Sequence, residues 1–303
     1  MHNFSKTQRI SEGDMFTRRH RDIQTAMTDK AVTSAAFLLS LIAACATSAP
    51  GAESSPPAAD NVAWMLQTNL LERTGTNAVA ELPNVLIIGD SISMGYTPFV
   101  RKRLSGVANV SRPKCNCAAT QFHLRKRGGV KDWVGTNRWD VIVVNAGIWD
   151  YCYIKGSALK TDHYWGPDAE LKKLPPLRRG TAIRARGFRI RTPILEYADN
   201  LRKIISFLKS TGASVVFPLS TPCPTYQNDD RCGLALAYNE VAAGVCRELG
   251  VPTIDLYAIG ERNYDNQPDG AHYNDVGNDQ LAEAVAEAVI SALRARGGGA
   301  QAK

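Results

Sequence analysis

Val85-Leu86-Ile87-Ile88-Gly89-Asp90-Ser91 is the stretch on which the reading of this chain turns. Four consecutive apolar residues stop at a glycine, the pattern of a strand buried on both faces. Residues 95–104 read as the helix that follows it. Other apolar runs repeat the theme: Val141-Ile142-Val143-Val144, Val215-Val216-Phe217, and a short one from Pro252 to Leu256. Helical patterns separate them. From Ile194 to Ser210, Leu195, Ala198, Leu201, Ile204, Ile205 and Leu208 recur at helical spacing, and Thr211-Gly212 ends the run. Ala235 to Leu249 reads as a helix closed by Gly250, and Asp275 to Arg294 as a long Ala-rich one. Continuous apolar strands alternating with helices predict an α/β fold with a parallel sheet covered on both faces. Residues 151–193 have no clear period and are rich in Gly, Pro, Arg and Lys. They are too long for a plain connection and read as an insertion near the site, or a lid.

In open parallel sheets ligands sit at the carboxyl ends of the strands. Gly89-Asp90-Ser91-Ile92-Ser93 lies at such an end, where a new helix offers free backbone N–H groups. Two readings of Ser91 stand side by side: it caps the helix together with Asp90, or it is a nucleophile that needs a base to take its proton. The second element is Pro268-Asp269-Gly270-Ala271-His272, just before the last helix. Asp269 and His272 are three residues apart on a turn. That spacing lets the carboxylate hold Nδ1–H of the imidazole and leaves Nε2 to face a hydroxyl. A surface Asp and His on a loop is the plain alternative, and the Gly-Asp-Ser loop after the first strand weighs against it.

With these two elements the sequence resembles the SGNH/GDSL hydrolase family, over roughly Asn84 to Arg296. Intervening pieces agree in order: Trp139-Asp140-Val141-Ile142 leading to Asn145-x-Gly147-x-x-Asp150, then Glu196-Tyr197-x-x-Asn200-Leu201, Thr221-Pro222, Tyr238-Asn239 and Asp255-Leu256-Tyr257. The resemblance implies a flavodoxin-like three-layer α/β/α sandwich and ester hydrolysis through an acyl-enzyme, with no metal or organic cofactor. Ser91 would be the nucleophile, His272 the general base and acid, and Asp269 the residue that orients the His. Many relatives deacetylate sugars or cleave lipid esters, so the expected substrate is an acylated carbohydrate, as a small molecule or polysaccharide, or another small ester. Two alternatives remain: acyl transfer on the same triad, and a non-catalytic glycan-binding module that kept the fold. No Gly-x-Ser-x-Gly surrounds the serine, unlike the α/β-hydrolase elbow.

The third block of the family usually reads Gly-x-Asn-Asp, its Asn donating to the oxyanion. Here it is Gly147-Ile148-Trp149-Asp150, so Trp149 holds that slot. The chain looks closest to a subgroup with an Asn-x-Gly-x-x-Asp third block, in which Asn145 would substitute. The oxyanion candidates are therefore the Ser91 N–H, Asn145 and Gly147, with Asn116 and Gly128 or Gly129 for the second block. Trp149 and Asp150 are expected to line the substrate pocket.

The chain has 303 residues, 44% hydrophobic and 21% charged, ordinary for a globular protein with one sizeable core. Its net charge is +7, and the basic residues cluster in 101–138 and 172–191. These clusters read either as a solvated face or as attraction to an acidic polymer or membrane surface. No helix-turn-helix, zinc-finger or RNP motif is present, so nucleic acid is not an expected partner. Ala31 to Ala44 is apolar and nearly uncharged, with Lys30 before it, and suits the core of a signal peptide. Ile42-Ala43-Ala44-Cys45 resembles a lipobox whose Cys45 carries a lipid anchor, while Ala46-Thr47-Ser48-Ala49 suits ordinary signal peptidase. Residues 1–45 are thus expected to be a leader, 46–80 a flexible tether, 81–297 the hydrolase domain and 298–303 a disordered tail. The protein is expected to be exported: periplasmic, anchored as a lipoprotein, or secreted. Apart from Cys45, six cysteines remain, enough for disulfides in an oxidising compartment. Cys223 and Cys232 flank a polar loop they can close, and Cys152 can pair with Cys115 or Cys117. Cys115-x-Cys117 followed by His123 lacks a second ligand pair, so zinc is not expected.

Overall fold

The computed structural model describes residues 71–72, 81–159, 176–223 and 229–300. The leader with Cys45 and most of the tether lie outside them. Five strands run parallel: β2 (Asn84–Ile88), β3 (Asn109–Pro113), β4 (Val141–Val144), β7 (Ser214–Pro218) and β8 (Thr253–Ile254). β1 (Leu71–Glu72) adds an antiparallel edge beside β3, pairing Leu71 with Pro113. The sheet order is β1-β3-β2-β4-β7-β8. Without its edge strand this is the flavodoxin-like order, in which the chain leaves β2 to one side and then returns to the other. The ordered sheet therefore starts within the stretch expected to be a tether.

The alternation of side chains along each strand splits the core into two layers. Leu86, Ile88, Ile142, Val144, Val215 and Phe217 face one side. There they meet α5 (Ile194–Ser210) through Leu201, Ile204, Ile205 and Leu208, and α6 (Asp229–Glu248) through Tyr238 and Val245. Val85, Ile87, Val141, Val143 and Val216 face the other side. They pack on α1 (Ser91–Arg103) through Tyr96 and Val100, and on α8 (Asp275–Ala300) through Leu281, Val285 and Val289. The result is the expected three-layer α/β/α sandwich, because every central strand offers an apolar row to each face.

Three features depart from the sequence reading. β3 is buried at all five positions although it contains Asn109, Ser111 and Arg112, so no apolar run announced it. α1 begins at Ser91 rather than 95, because the Asp90 carboxylate caps it by accepting from Ile92 N at 3.0 Å. α8 continues to Ala300, into the stretch expected to be a tail. The described part of the 151–193 insertion contains a small antiparallel pair, β5 (Tyr153–Ile154) with β6 (Arg189–Ile190), and α4 (Pro176–Ala185). No disulfide joins Cys152 to Cys115 or Cys117, and the side chain of Cys232, expected to pair with Cys223, lies outside the described ones. The sulfur of Cys152 turns instead to the Ile148 carbonyl at 3.0 Å, and that of Cys117 to the Cys115 carbonyl at 3.8 Å.

Candidate active site

β2 and β4 are neighbours, and the strand order reverses beside them, so their carboxyl ends open a crevice. Ser91 stands on one lip as the first residue of α1. Its own N–H has no partner among the described residues, as expected for the first turn of a helix. Asn145 stands on the other lip, its N–H bonded to the Ile88 carbonyl at 2.9 Å.

The turn before α8 brings the other two side chains. Asp269 Oδ1 accepts from the backbone N–H of Ala271 at 2.9 Å and of His272 at 2.7 Å. Gly270, at φ +76°, supplies the left-handed residue this tight turn needs. Asp269 Oδ2 lies 2.7 Å from His272 Nδ1, and His272 Nε2 lies 2.8 Å from Ser91 Oγ. A carboxylate accepts only, so Nδ1 carries the proton and Nε2 is left to accept from the serine hydroxyl. Partial burial works to raise the Asp269 carboxyl. The hydrogen bonds from the His272 ring and from two backbone N–H groups outweigh it and hold the group below the ordinary carboxylate range. Gln267 ties this turn to the loop after β7 by donating to the Pro222 carbonyl at 3.0 Å.

Asp90, between Gly89 and the serine, is buried, and its loss of solvent raises its carboxyl despite the Ile92 N–H. The second loop is bound to the first: Cys117 N donates to the Gly89 carbonyl at 3.2 Å. Asn116 lies within that loop, and its Oδ1 accepts from Ala118 N at 2.9 Å. Ala118 sits at φ +52°, a left-handed conformation unusual for alanine, directly beside the nucleophile loop. Nothing in the sequence signals this, since the residue is not glycine.

Not every expected residue reaches the crevice. Gly128 donates its N–H to Asp132 Oδ2 at 2.5 Å, so that group is engaged within its own turn. Asp150 is fully buried and does not line a pocket. The turn at Gly147, closed by Asp150 N to Gly147 O at 2.7 Å, points it inward. There it accepts from Thr120 N at 3.0 Å, Thr120 Oγ1 at 2.6 Å and Thr192 Oγ1 at 2.8 Å. Burial pushes its carboxyl up to about 7 against those donors. Asp150 is thus a clamp joining the second and third loops to the insertion. Trp149 stays half-buried and packs against Ala118, Ala119 and Phe122. Asn145 Nδ2 donates to the Pro218 carbonyl at 2.7 Å. Gly147 is required where it stands, because a Cβ there would run into Ser220 Oγ. Ser220 is itself bracketed by Asn239, which accepts from its N–H and donates to its carbonyl, each at 2.8 Å.

Residues 87–280 match the sequence profile of the GDSL-like lipase/acylhydrolase family. No curated protein matches the chain. Among solved structures, it is similar to an acetyl xylan esterase at 17% identity and a TM-score of 0.49, covering 68% of this chain and 99% of that one. A lipase/acylhydrolase from Enterococcus faecalis gives 17% and 0.48, over 69% and 95% of the two chains. An acetylxylan esterase from Geobacillus stearothermophilus gives 15% and 0.49, over 68% and 93%.

Proposed function

The chain belongs to the GDSL-like lipase/acylhydrolase family, and from that premise we propose that it is a serine esterase working through Ser91, His272 and Asp269. One observation supports the assignment above the others: an unbroken run of short contacts from Asp269 through the imidazole to Ser91 Oγ. In the first half-reaction, His272 Nε2 takes the proton of Ser91 as Oγ attacks the ester carbonyl carbon. Asp269 stabilises the imidazolium that forms. The proton then passes to the leaving alcohol oxygen, and the acyl group stays on Ser91. Water, deprotonated by the same nitrogen, releases the acid. The Ser91 N–H and the second amide hydrogen of Asn145 are the proposed oxyanion donors, and Trp149 the wall beside them.

The alcohol side is proposed to be a carbohydrate. The side chains of Asp269 and His272 are 44% and 43% exposed, so this half of the triad lies near the surface, which suits a bulky alcohol. Export is proposed from the apolar run Ala31–Ala44 and the lipobox-like Cys45. The test is a fluorophosphonate probe on the full chain, with peptide mapping of the adduct and a parallel assay on nitrophenyl acetate. Labelling of Ser91 that blocks ester hydrolysis is the expected outcome. Hydrolysis that survives complete labelling, or an adduct at another serine, overturns the assignment.

A further inference from the structure

Charge is not spread evenly along this chain. Residues 112–191 carry 17 Lys and Arg against 6 Asp and Glu, a surplus of 11, whereas the whole chain has a surplus of 7. The remainder is therefore net negative. The stretch that holds the surplus contains the second loop, the third loop and the insertion.

Among the described residues, contacts bring part of this charge together. Arg125 donates to the Leu159 carbonyl at 3.0 Å, and Arg189 to the Gly156 carbonyl at 2.9 Å. Lys155 Nζ lies 4.5 Å from the Phe188 ring. The turn after α2 (Thr120–His123) and the β5–β6 pair are thereby drawn together. Lys126, Arg127, Lys155, Arg184 and Arg189 are exposed, and none has an ion-pair partner among the described residues. The carbonyls that Arg189 contacts orient its guanidinium without neutralising it.

This surface borders the candidate site. Arg125 lies 4.0 Å from the centre of the Phe122 ring, and Phe122 packs against Trp149 and Ala118. Ala118 follows Cys117, whose N–H holds the nucleophile loop at Gly89. Arg191, fully buried, donates to the Trp149 carbonyl at 2.9 Å and its guanidinium lies 5.5 Å from the Trp149 ring. The positive field therefore starts one loop away from Ser91.

We propose that the esterified alcohol is an anionic polysaccharide, its carboxylates lying on this basic surface while one acyl group reaches Ser91. The proposal rests on the esterase reading and goes further by naming the substrate class. Repeated carboxylates along a chain match several guanidinium and ammonium groups set along one face, and Arg forks bind carboxylates in a bidentate fashion. A lipid surface fits less well. The cations stand on a turn, on the β5–β6 pair and on α4 rather than along one amphipathic helix, and Leu124 and Leu159 are the exposed large apolar side chains of the described part of this stretch.

The experiment compares a partly acetylated polyuronate, acetylated xylan and nitrophenyl acetate as substrates of the full chain, at low and high salt. The polyuronate is expected to give a kcat/KM on the order of tenfold above xylan at low salt, with the advantage lost near 0.5 M salt as the field is screened. Changing Lys126, Arg127 and Lys155 together to Gln is expected to lower the polyuronate-to-nitrophenyl acetate ratio about tenfold, mainly through KM. An equal rate on xylan and polyuronate, or an advantage indifferent to salt, overturns the proposal. So does sedimentation with phosphatidylglycerol vesicles without any polyuronate preference, which would make the partner a lipid surface. If nitrophenyl acetate is not turned over, the esterase reading fails by itself. Retention of Ser91→Ala protein on immobilised, unacetylated polyuronate then still tests the basic surface, and absence of salt-sensitive retention overturns it.

Discussion

Asn145 donates its side-chain amide to the carbonyl of Pro218, 2.7 Å away, and so ties the carboxyl end of β4 to that of β7. An amide has two hydrogens, and this bond uses one. The second is the one proposed for the oxyanion. Asn145→Ala should therefore lower kcat about 10²–10³-fold with KM little changed, the loss expected for one oxyanion donor. It should also cost about 1–2 kcal/mol of stability, because the Pro218 carbonyl loses a buried partner. Steady-state kinetics and urea unfolding separate the two effects. Lost stability with unaltered kcat would leave Asn145 as a tie between strands.

Ser91 and His272 act on the same proton, so their substitutions should not add. Ser91→Ala and His272→Ala should each lower kcat by orders of magnitude, and the double variant should be about as slow as the worse of the two. Circular dichroism should show all three folded, since Ser91 Oγ and the His272 ring bond mainly to each other and to Asp269. Losses that multiply would show that the two side chains serve separate steps.

His123 is fully buried against Trp133, ring centroids 5.2 Å apart, with neither ring nitrogen bonded. Burial lowers its pKa to about 3 from the ordinary histidine value of 6.5. Between those limits the unfolded chain binds a proton that the folded chain refuses. This contribution to stability is therefore whole above pH 6.5 and falls, by about 1.4 kcal/mol per pH unit, as the pH drops towards 3. His123→Phe removes that slope without taking away a hydrogen bond. Urea midpoints of parent and variant from pH 7 to 4 should diverge, the variant holding its stability better in acid. Parallel curves would contradict a neutral buried histidine.

Gly147 and Ser220 share space that leaves no room for a methyl group. Gly147→Ala should destabilise the protein by about 1–3 kcal/mol through overpacking. Adding Ser220→Gly should recover much of that loss, because the clash is with Ser220 Oγ and its Cβ. A double-mutant cycle from thermal unfolding measures the coupling. Simple additivity would mean that the third loop moves away instead.

The sandwich was legible in the chain because its central strands are continuous apolar runs, a signal carried by neighbouring residues. Val85–Ile88, Val141–Val144 and Val215–Phe217 all appear as strands within a residue of where their composition puts them. β3 was not legible, since Asn109, Ser111 and Arg112 are buried by the strands and loops around them and not by their own polarity. The Asp269–His272 turn was readable for the same local reason as the strands, four consecutive residues being enough to set its geometry. What only the tertiary structure decided is which distant groups meet. Sequence order cannot say that Asp150 turns inward to Thr120 and Thr192, since that depends on how the second loop and the insertion pack over the third. Nor can it bring His272 within 2.8 Å of a serine 181 residues away. Local preference is set by a residue and its neighbours, whereas these contacts are set by the burial of two apolar layers, which closes the loops over the end of the sheet.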